Sequence, residues 1–197
     1  MKKKSVKLYP GFEKLREEAY GYLSPKRVSH VAGCESAAVR LAEIWGEDAE
    51  KAAMAGILHD VTKRLSYEEQ LQLIEKYAIV CDGELLDSPK LLHAVTGAAL
   101  AEKVFSAPED VCSAIRWHTT GRPGMTALEK IIYLADFIEP TRDFDGVEEL
   151  RRETEKDLDS AMALGLRMSL EEIQARGEKP YSLTADAYEY YSSLHSD

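Results

Sequence analysis

Cysteine is scarce in this chain, and so is any run long enough to span a membrane. The three cysteines, Cys34, Cys81 and Cys112, are odd in number and scattered, with no CxxC spacing. That pattern argues against both a disulfide framework and a thiolate zinc site, and fits a reducing cytosol. No apolar stretch approaches bilayer length, and the basic opening MKKKSVKLYP has no apolar segment behind it. Neither secretion nor membrane insertion is therefore expected. Positive charge is in short supply as well: 25 Lys and Arg face 35 Asp and Glu, leaving a formal net charge of −10. Sequence-independent binding to DNA or RNA relies on cations that neutralise phosphates, so it is disfavoured. A small anionic ligand is not, because a metal and a few local cations can reverse the potential inside one cleft. The expectation is a cytoplasmic protein that binds neither nucleic acid nor membrane.

What the chain does have is an ordinary globular composition, 45% hydrophobic and 30% charged over 197 residues, enough for one substantial core. Residues 1–197 read as a single domain. From Pro25 to Trp45, Val28, Val31, Cys34, Ala38, Leu41 and Ala42 recur with helical spacing, while Lys26, Arg40 and Glu43 take the other side. A second helix is expected from Asp48 to about Asp60, and a third from Ser66, where Glu69 completes a capping box. Residues 78–89 lose periodicity and read as a loop. Helices resume at about Lys90 to Phe105, Pro108 to His118 and Thr126 to Ile138, with TTGRPGM between the last two as an ordered turn. Val147 to about Arg176 reads as one charged helix with Leu150, Leu158, Met162, Leu166 and Ile173 as its buried stripe. The tyrosine-rich tail from Tyr181 is expected on the outside. With no strand signal, the fold class is all-α, a compact multi-helix bundle.

Four of the five histidines lie inside apolar helical segments: His30 in RVSHVAG, His59 in AGILHD, His93 in KLLHAVTG and His118 in AIRWHTTG. His195, in SSLHSD, reads as an ordinary surface histidine. Asp60 follows His59 directly, and Asp136 interrupts IIYLADFI. A buried carboxylate must be paired, protonated or bound to a cation. Taken singly, each of these residues has a plain structural reading, such as a hydrogen-bonded core histidine or a salt-bridged aspartate. Taken together they would need six separate sets of partners, whereas one metal cluster serves them all. Imidazoles mixed with carboxylates suit iron, manganese, cobalt, nickel or zinc better than calcium or magnesium.

In order and surroundings these residues resemble the HD superfamily of metal-dependent phosphohydrolases. The resemblance is closest to its YqeK branch of symmetrical diadenosine tetraphosphate hydrolases. It runs from about Lys26 to Arg152 and is most specific in AIRWHTTGRPGMTALEKIIYLADFIEP, Ala114 to Pro140. HDVTK, HAVTGA and TRDFDGVEELR support it; Val61 and Thr62 depart from the common pattern. The resemblance implies an HD-domain bundle with a metal-site core over about residues 26–152 and a helical extension over 153–197. It implies that His30, His59, Asp60 and Asp136 hold one ion, that His93 and His118 complete a second site with Asp60 bridging, and that the metal is iron. The substrate would be a small nucleotide, cleaved by a metal-activated water into two ADP.

Asp60, Lys63 and Arg122 are the expected catalytic residues. Lys63, Arg122, Arg142 and Arg151, with Thr119, Thr120 and Gly121, are expected to bind the phosphates. Glu139 is either a supporting acid or a helix-terminal charge, and Trp117 and Phe137 either stack on adenine or belong to the core. A homodimer is compatible with these features. The alternatives are an HD phosphohydrolase for another nucleotide, a diiron oxygenase of the same fold, and a nucleotide sensor without turnover.

Overall fold

Short-range capping sets where most helices begin. Asp48 accepts from the amides of Glu50 and Lys51, Ser66 and Glu69 form a reciprocal capping box, and Thr126 and Glu129 form a second. In the computed structural model, which describes residues 6–194, the helices are α1 (Glu13–Tyr20), α2 (Pro25–Trp45), α3 (Ala49–Leu58), α4 (Tyr67–Lys76), α5 (Gly83–Leu86) and α6 (Leu92–Phe105). They continue as α7 (Glu109–Trp117), α8 (Ala127–Ile138), α9 (Val147–Glu153), α10 (Leu158–Ala175) and α11 (Ser182–Ser193). No strand occurs among the described residues, and no helix is long and apolar enough to cross a membrane. His195 lies outside the described residues.

One apolar core runs from Ala19 on α1 to Tyr191 on α11, with Leu41, Ile57, Ile115, Ile131 and Met162 at its centre. Helices α2, α3, α7 and α8 surround it, α10 packs on α8, and α11 packs on α10. The α2–α3 crossing is the tightest. A Cβ added at Gly56 would lie 2.8 Å from the Glu35 Cα and 3.0 Å from its nitrogen, backbone atoms that cannot yield. Glycine is required there because the two helices touch main chain to main chain. That crossing brings the end of α3 alongside the middle of α2.

Three expectations are corrected, and one further helix was not expected. The loop at 78–89 contains α5, started by Asp82, whose carboxylate accepts from the Leu85 amide at 2.7 Å. The long helix from Val147 is two helices, because the Asp157 carboxylate accepts from the Ser160 amide at 2.7 Å and starts α10 afresh. The tail does not lie outside: Ala187 and Tyr191 are buried, and the Tyr191 hydroxyl accepts from the Met125 amide at 2.8 Å. Ahead of α2 stands an unanticipated helix, α1, whose buried Arg16 pairs with the fully buried Glu35 at 2.6 Å. Glu35 also accepts from the Tyr9 amide at 2.7 Å, which ties the entering strand of chain to α2.

Gly56→Ala is expected to cost about 1–3 kcal/mol by forcing α2 and α3 apart. Gly83→Ala, at a position with no atom within 4 Å, is the matched control. Denaturant titration should show a lower midpoint for the first variant only.

Candidate metal centre

Five helices deliver the polar groups singled out in the sequence. His30 comes from α2, His93 from α6 and Asp136 from α8; His59 and His118 stand at the C-caps of α3 and α7, and Asp60 follows. Three of the rings are anchored by one device, a ring nitrogen donating to the carbonyl three residues earlier. His59 Nδ1 donates to Gly56 at 2.8 Å, His93 Nδ1 to Lys90 at 2.9 Å and His118 Nδ1 to Ile115 at 2.6 Å. His30 Nδ1 is held by the Glu139 carboxylate at 3.1 Å. A carbonyl only accepts, so Nδ1 carries the hydrogen and Nε2 keeps its lone pair.

Those lone pairs converge. His30 and His59 approach Nε2 to Nε2 at 3.3 Å, and His93 and His118 at 3.2 Å. Two lone pairs cannot hydrogen-bond each other, so each pair needs a cation or a proton between its members. Asp60 lies between the two pairs: Oδ2 is 3.3 Å from His59 Nε2, and Oδ1 is 3.4 Å from His93 Nε2. It is 1% exposed, and its Oδ1 has no hydrogen-bond partner. Asp136 Oδ1 reaches His30 Nε2 at 3.1 Å. The ligand atoms form three overlapping groups, His30–His59–Asp60, His59–His118–Asp136 and Asp60–His93–His118, each within 4.8 Å. Acceptor atoms this close, one a partnerless buried carboxylate oxygen, fit a metal ion.

A cleft of about 1380 Å³ opens over this cluster, lined by Arg27, Lys63, Thr119, Arg142 and residues of α10. Arg142 donates to Asp136 Oδ1 at 2.6 Å, and Lys63 Nζ lies 3.1 Å from His93 Nε2. The Thr119 hydroxyl is buried without a partner. Other expected phosphate ligands turn elsewhere. Gly121, at φ +64°, gives its amide to Trp117 at 3.0 Å. That left-handed turn carries Arg122 off the cleft to the buried Glu129, where its Nη2 donates at 2.8 and 3.0 Å. Thr120 donates to the Gly121 carbonyl at 2.9 Å. Arg151 spends its guanidinium on the carbonyls of Ile138, Glu139 and Arg142 at 2.9, 2.9 and 3.0 Å, closing the end of α8. Trp117 lines a smaller side cavity, whereas Phe137 lines the cleft.

Comparison with known proteins agrees with this geometry. The HD domain family matches residues 27–141. The chain is 39% identical over 184 residues to a symmetrical bis(5'-nucleosyl)-tetraphosphatase of Bacillus subtilis, covering 90% of this chain and 98% of that one. It is also 39% identical to a protein of the same name from Halalkalibacterium halodurans, covering 85% and 89%. The chain belongs to the HD domain family. A crystal structure from Clostridium acetobutylicum, described as a predicted HD superfamily hydrolase involved in NAD metabolism, matches with a TM-score of 0.89 and 38% identity. It covers 95% of this chain and all of that one.

HD domain hydrolases are metal-dependent, and of two residues that support the cluster here one escaped the sequence reading and the other was left open by it. Arg27 bonds Asp60 Oδ2 and lines the cleft. Its signal was its place three residues before His30, one helical turn away on the same face. Glu139, left open, is fully buried and accepts from Thr141 as well as from His30. Gly33 makes room for it, since a Cβ there would lie 2.4 Å from the Glu139 carboxylate.

The protonation states divide within the HD cluster. Burial, with His118 and Lys63 alongside, holds His93 well below the ordinary histidine value, and burial beside His59 brings His118 down to about 4. His59 goes the other way: against burial, Cys34 and Asp60 hold it well above 6.5. Burial opposes the charge on Asp60 too, but His59 and His93 keep it well below the carboxylate range. The proton that the metal-free cluster retains therefore sits on His59, and metal binding must displace it.

Two outcomes follow. Between pH 6.5 and about 4 the unfolded chain protonates His118 while the folded protein does not, so stability falls as pH drops through that window, by about 3 kcal/mol. Above pH 6.5 the folded protein retains the His59 proton that the unfolded chain loses, so stability falls as pH rises. Metal-free protein should be most stable near pH 6.5, and urea titrations across pH that give a flat profile would contradict the assignment. Separately, Glu139→Gln keeps an acceptor for His30 but removes its charge. Chelator competition should show metal affinity about 10–100-fold weaker.

Proposed function

We propose that this chain hydrolyses dinucleoside polyphosphates, cutting diadenosine tetraphosphate symmetrically into two ADP in a metal-dependent reaction. Asp60 carries the reading: a buried carboxylate whose two oxygens face two separate pairs of imidazole lone pairs, beneath a cleft lined with cations. The relatives' printed activity supplies the substrate class. In this reading His30, His59, Asp60 and Asp136 would hold one ion, and His93 and His118, together with Asp60, would hold a second. Iron is the metal we favour, with manganese, cobalt, nickel or zinc accepted by the same donors. We place the protein in the cytoplasm, a reading supported by its cysteine usage and its bacterial relatives.

When bound, the metal pair acts as a Lewis acid and lowers the pKa of a water towards neutrality. The protein's own groups do the rest. Asp60, Asp136 and the Nε2 lone pairs of the four histidines present a preformed ligand set, held by carbonyls and by Glu139, so little reorganisation is needed. Arg27, Lys63 and Arg142 line the floor of the cleft, where they bind the phosphate chain and offset its growing charge. Partial desolvation of its ammonium lowers the pKa of Lys63 against the pull of Asp60. Water adds across the central P–O–P link; its oxygen goes to one phosphorus, and the bridging oxygen leaves with the other ADP and takes up a proton. The same cationic floor weighs against the diiron oxygenase reading, whose neutral substrates have no use for it.

Metal-loaded protein incubated with diadenosine tetraphosphate should yield ADP alone. AMP plus ATP, or no turnover, would overturn symmetrical cleavage. The double variant His59→Ala with Asp60→Ala should lose both bound metal and activity, and retained activity would remove the ligand assignment.

A further inference from the structure

Phe144 is an aromatic side chain left 36% exposed on the wall of the substrate cleft, in a stretch of chain with every sign of being built to hold it. Its ring meets Phe137 edge-on, with centroids 6.0 Å apart at 90°, and Phe137 lies parallel to the buried Tyr133 at 5.6 Å and 13°. The loop that carries it is tied down from within. Arg151 donates to the carbonyls of Ile138, Glu139 and Arg142, and Glu139 accepts from the Thr141 amide at 2.7 Å. Gly146, at φ +92°, lies so near Met168 that an added Cβ would be 2.7 Å from its Cε. An exposed ring in that setting gains nothing for the core; its free face is turned to the cleft.

The other half of the cluster has a recess of its own, with a mixed polar and apolar lining. Leu91, Thr119 and Tyr181 border both the main cleft and a side cavity of about 90 Å³, walled by Val95 and Trp117. Trp117 and Thr119 flank the ligand-set residue His118, whereas Phe137 follows Asp136. An aromatic side chain therefore stands beside each end of the histidine and aspartate cluster, Trp117 in the side cavity and Phe137 with Phe144 in the cleft, and Arg27, Lys63 and Arg142 line the cleft over the cluster. A symmetrical dinucleoside polyphosphate has that layout: a base at each end and negative charge between. Bases stack readily on aromatic rings, whatever their identity.

We propose that Phe144, backed by Phe137, is the stacking platform for one nucleobase, while the other base enters the recess beside Trp117, so that the cleft grips both ends of the substrate at once. The inference rests on the phosphohydrolase reading above and adds a second nucleoside subsite to it. Phe144 selects dinucleoside over mononucleoside polyphosphates, because a substrate with one nucleoside leaves one surface uncovered.

The test compares diadenosine tetraphosphate with adenosine 5'-tetraphosphate, which keeps the phosphate chain and lacks one nucleoside. The wild-type KM should be roughly tenfold lower for the dinucleotide, the scale of one lost base stack. In Phe144→Ala the two KM values should converge, by a rise in that of the dinucleotide, with kcat for it within about twofold of wild type. Phe144→Trp should restore the gap. Metal content and thermal midpoint of both variants establish that loop and cluster are intact. Equal KM values in the wild type, or a gap that survives in Phe144→Ala, would overturn the subsite while leaving the hydrolase reading in place. Failure of the wild type to cleave either compound would overturn both.

Discussion

Imidazole lone pairs facing one another inside a dry helical bundle are the constraint from which the rest of this protein follows. Each Nδ1 hydrogen is already committed, three times to a carbonyl one turn back and once to Glu139, so no ring can flip its tautomer to relieve its neighbour. Asp60 cannot relieve them either, since a carboxylate is another acceptor and its Oδ1 has nothing to accept from. A cation resolves the conflict at every atom together. The arrangement costs folding free energy until one binds, which makes metal binding and stability parts of one equilibrium.

The scaffold serves that arrangement through close approach. Gly56 lets α3 lie against α2, and the same residue offers the carbonyl that orients His59. Gly33 leaves space for Glu139, which reaches across from the end of α8 to steady His30. Both positions exchange side-chain volume for accurate placement of a ligand-set ring. Arg151 plays the corresponding part beyond α8, where it donates to the carbonyls of Ile138, Glu139 and Arg142.

An acidic protein that handles a polyanion needs positive charge at the right place, and Arg27, Lys63 and Arg142 line the cleft, with Asp143, Asp145, Glu171 and Glu172 also on its wall. Arg27 and Arg142 bond Asp60 and Asp136 as well, so each orients a carboxylate of the cluster while it lines the cleft.

All six residues of the cluster could be read from residue order, because a polar group inside an apolar helical segment stands out against its neighbours. The helix starts at Asp48, Ser66 and Thr126 could be read for the same reason of locality: a cap and its amides lie within one turn. Asp157 carried an equally local signal for the break before α10, hidden by the apolar stripe that continues through Leu150, Leu158 and Met162. The phosphate-side residues behaved differently. Arg122 was placed by nearness to His118, yet the turn at Gly121 sends it to Glu129, and Arg151 found its carbonyl acceptors at the end of α8 and in the loop after it. Tyr191 and Phe144 likewise owe their burial or exposure to which helix the chain returns to. A long, flexible side chain takes the partner that the path of the backbone brings within reach, and that path is set by packing between segments far apart in the sequence.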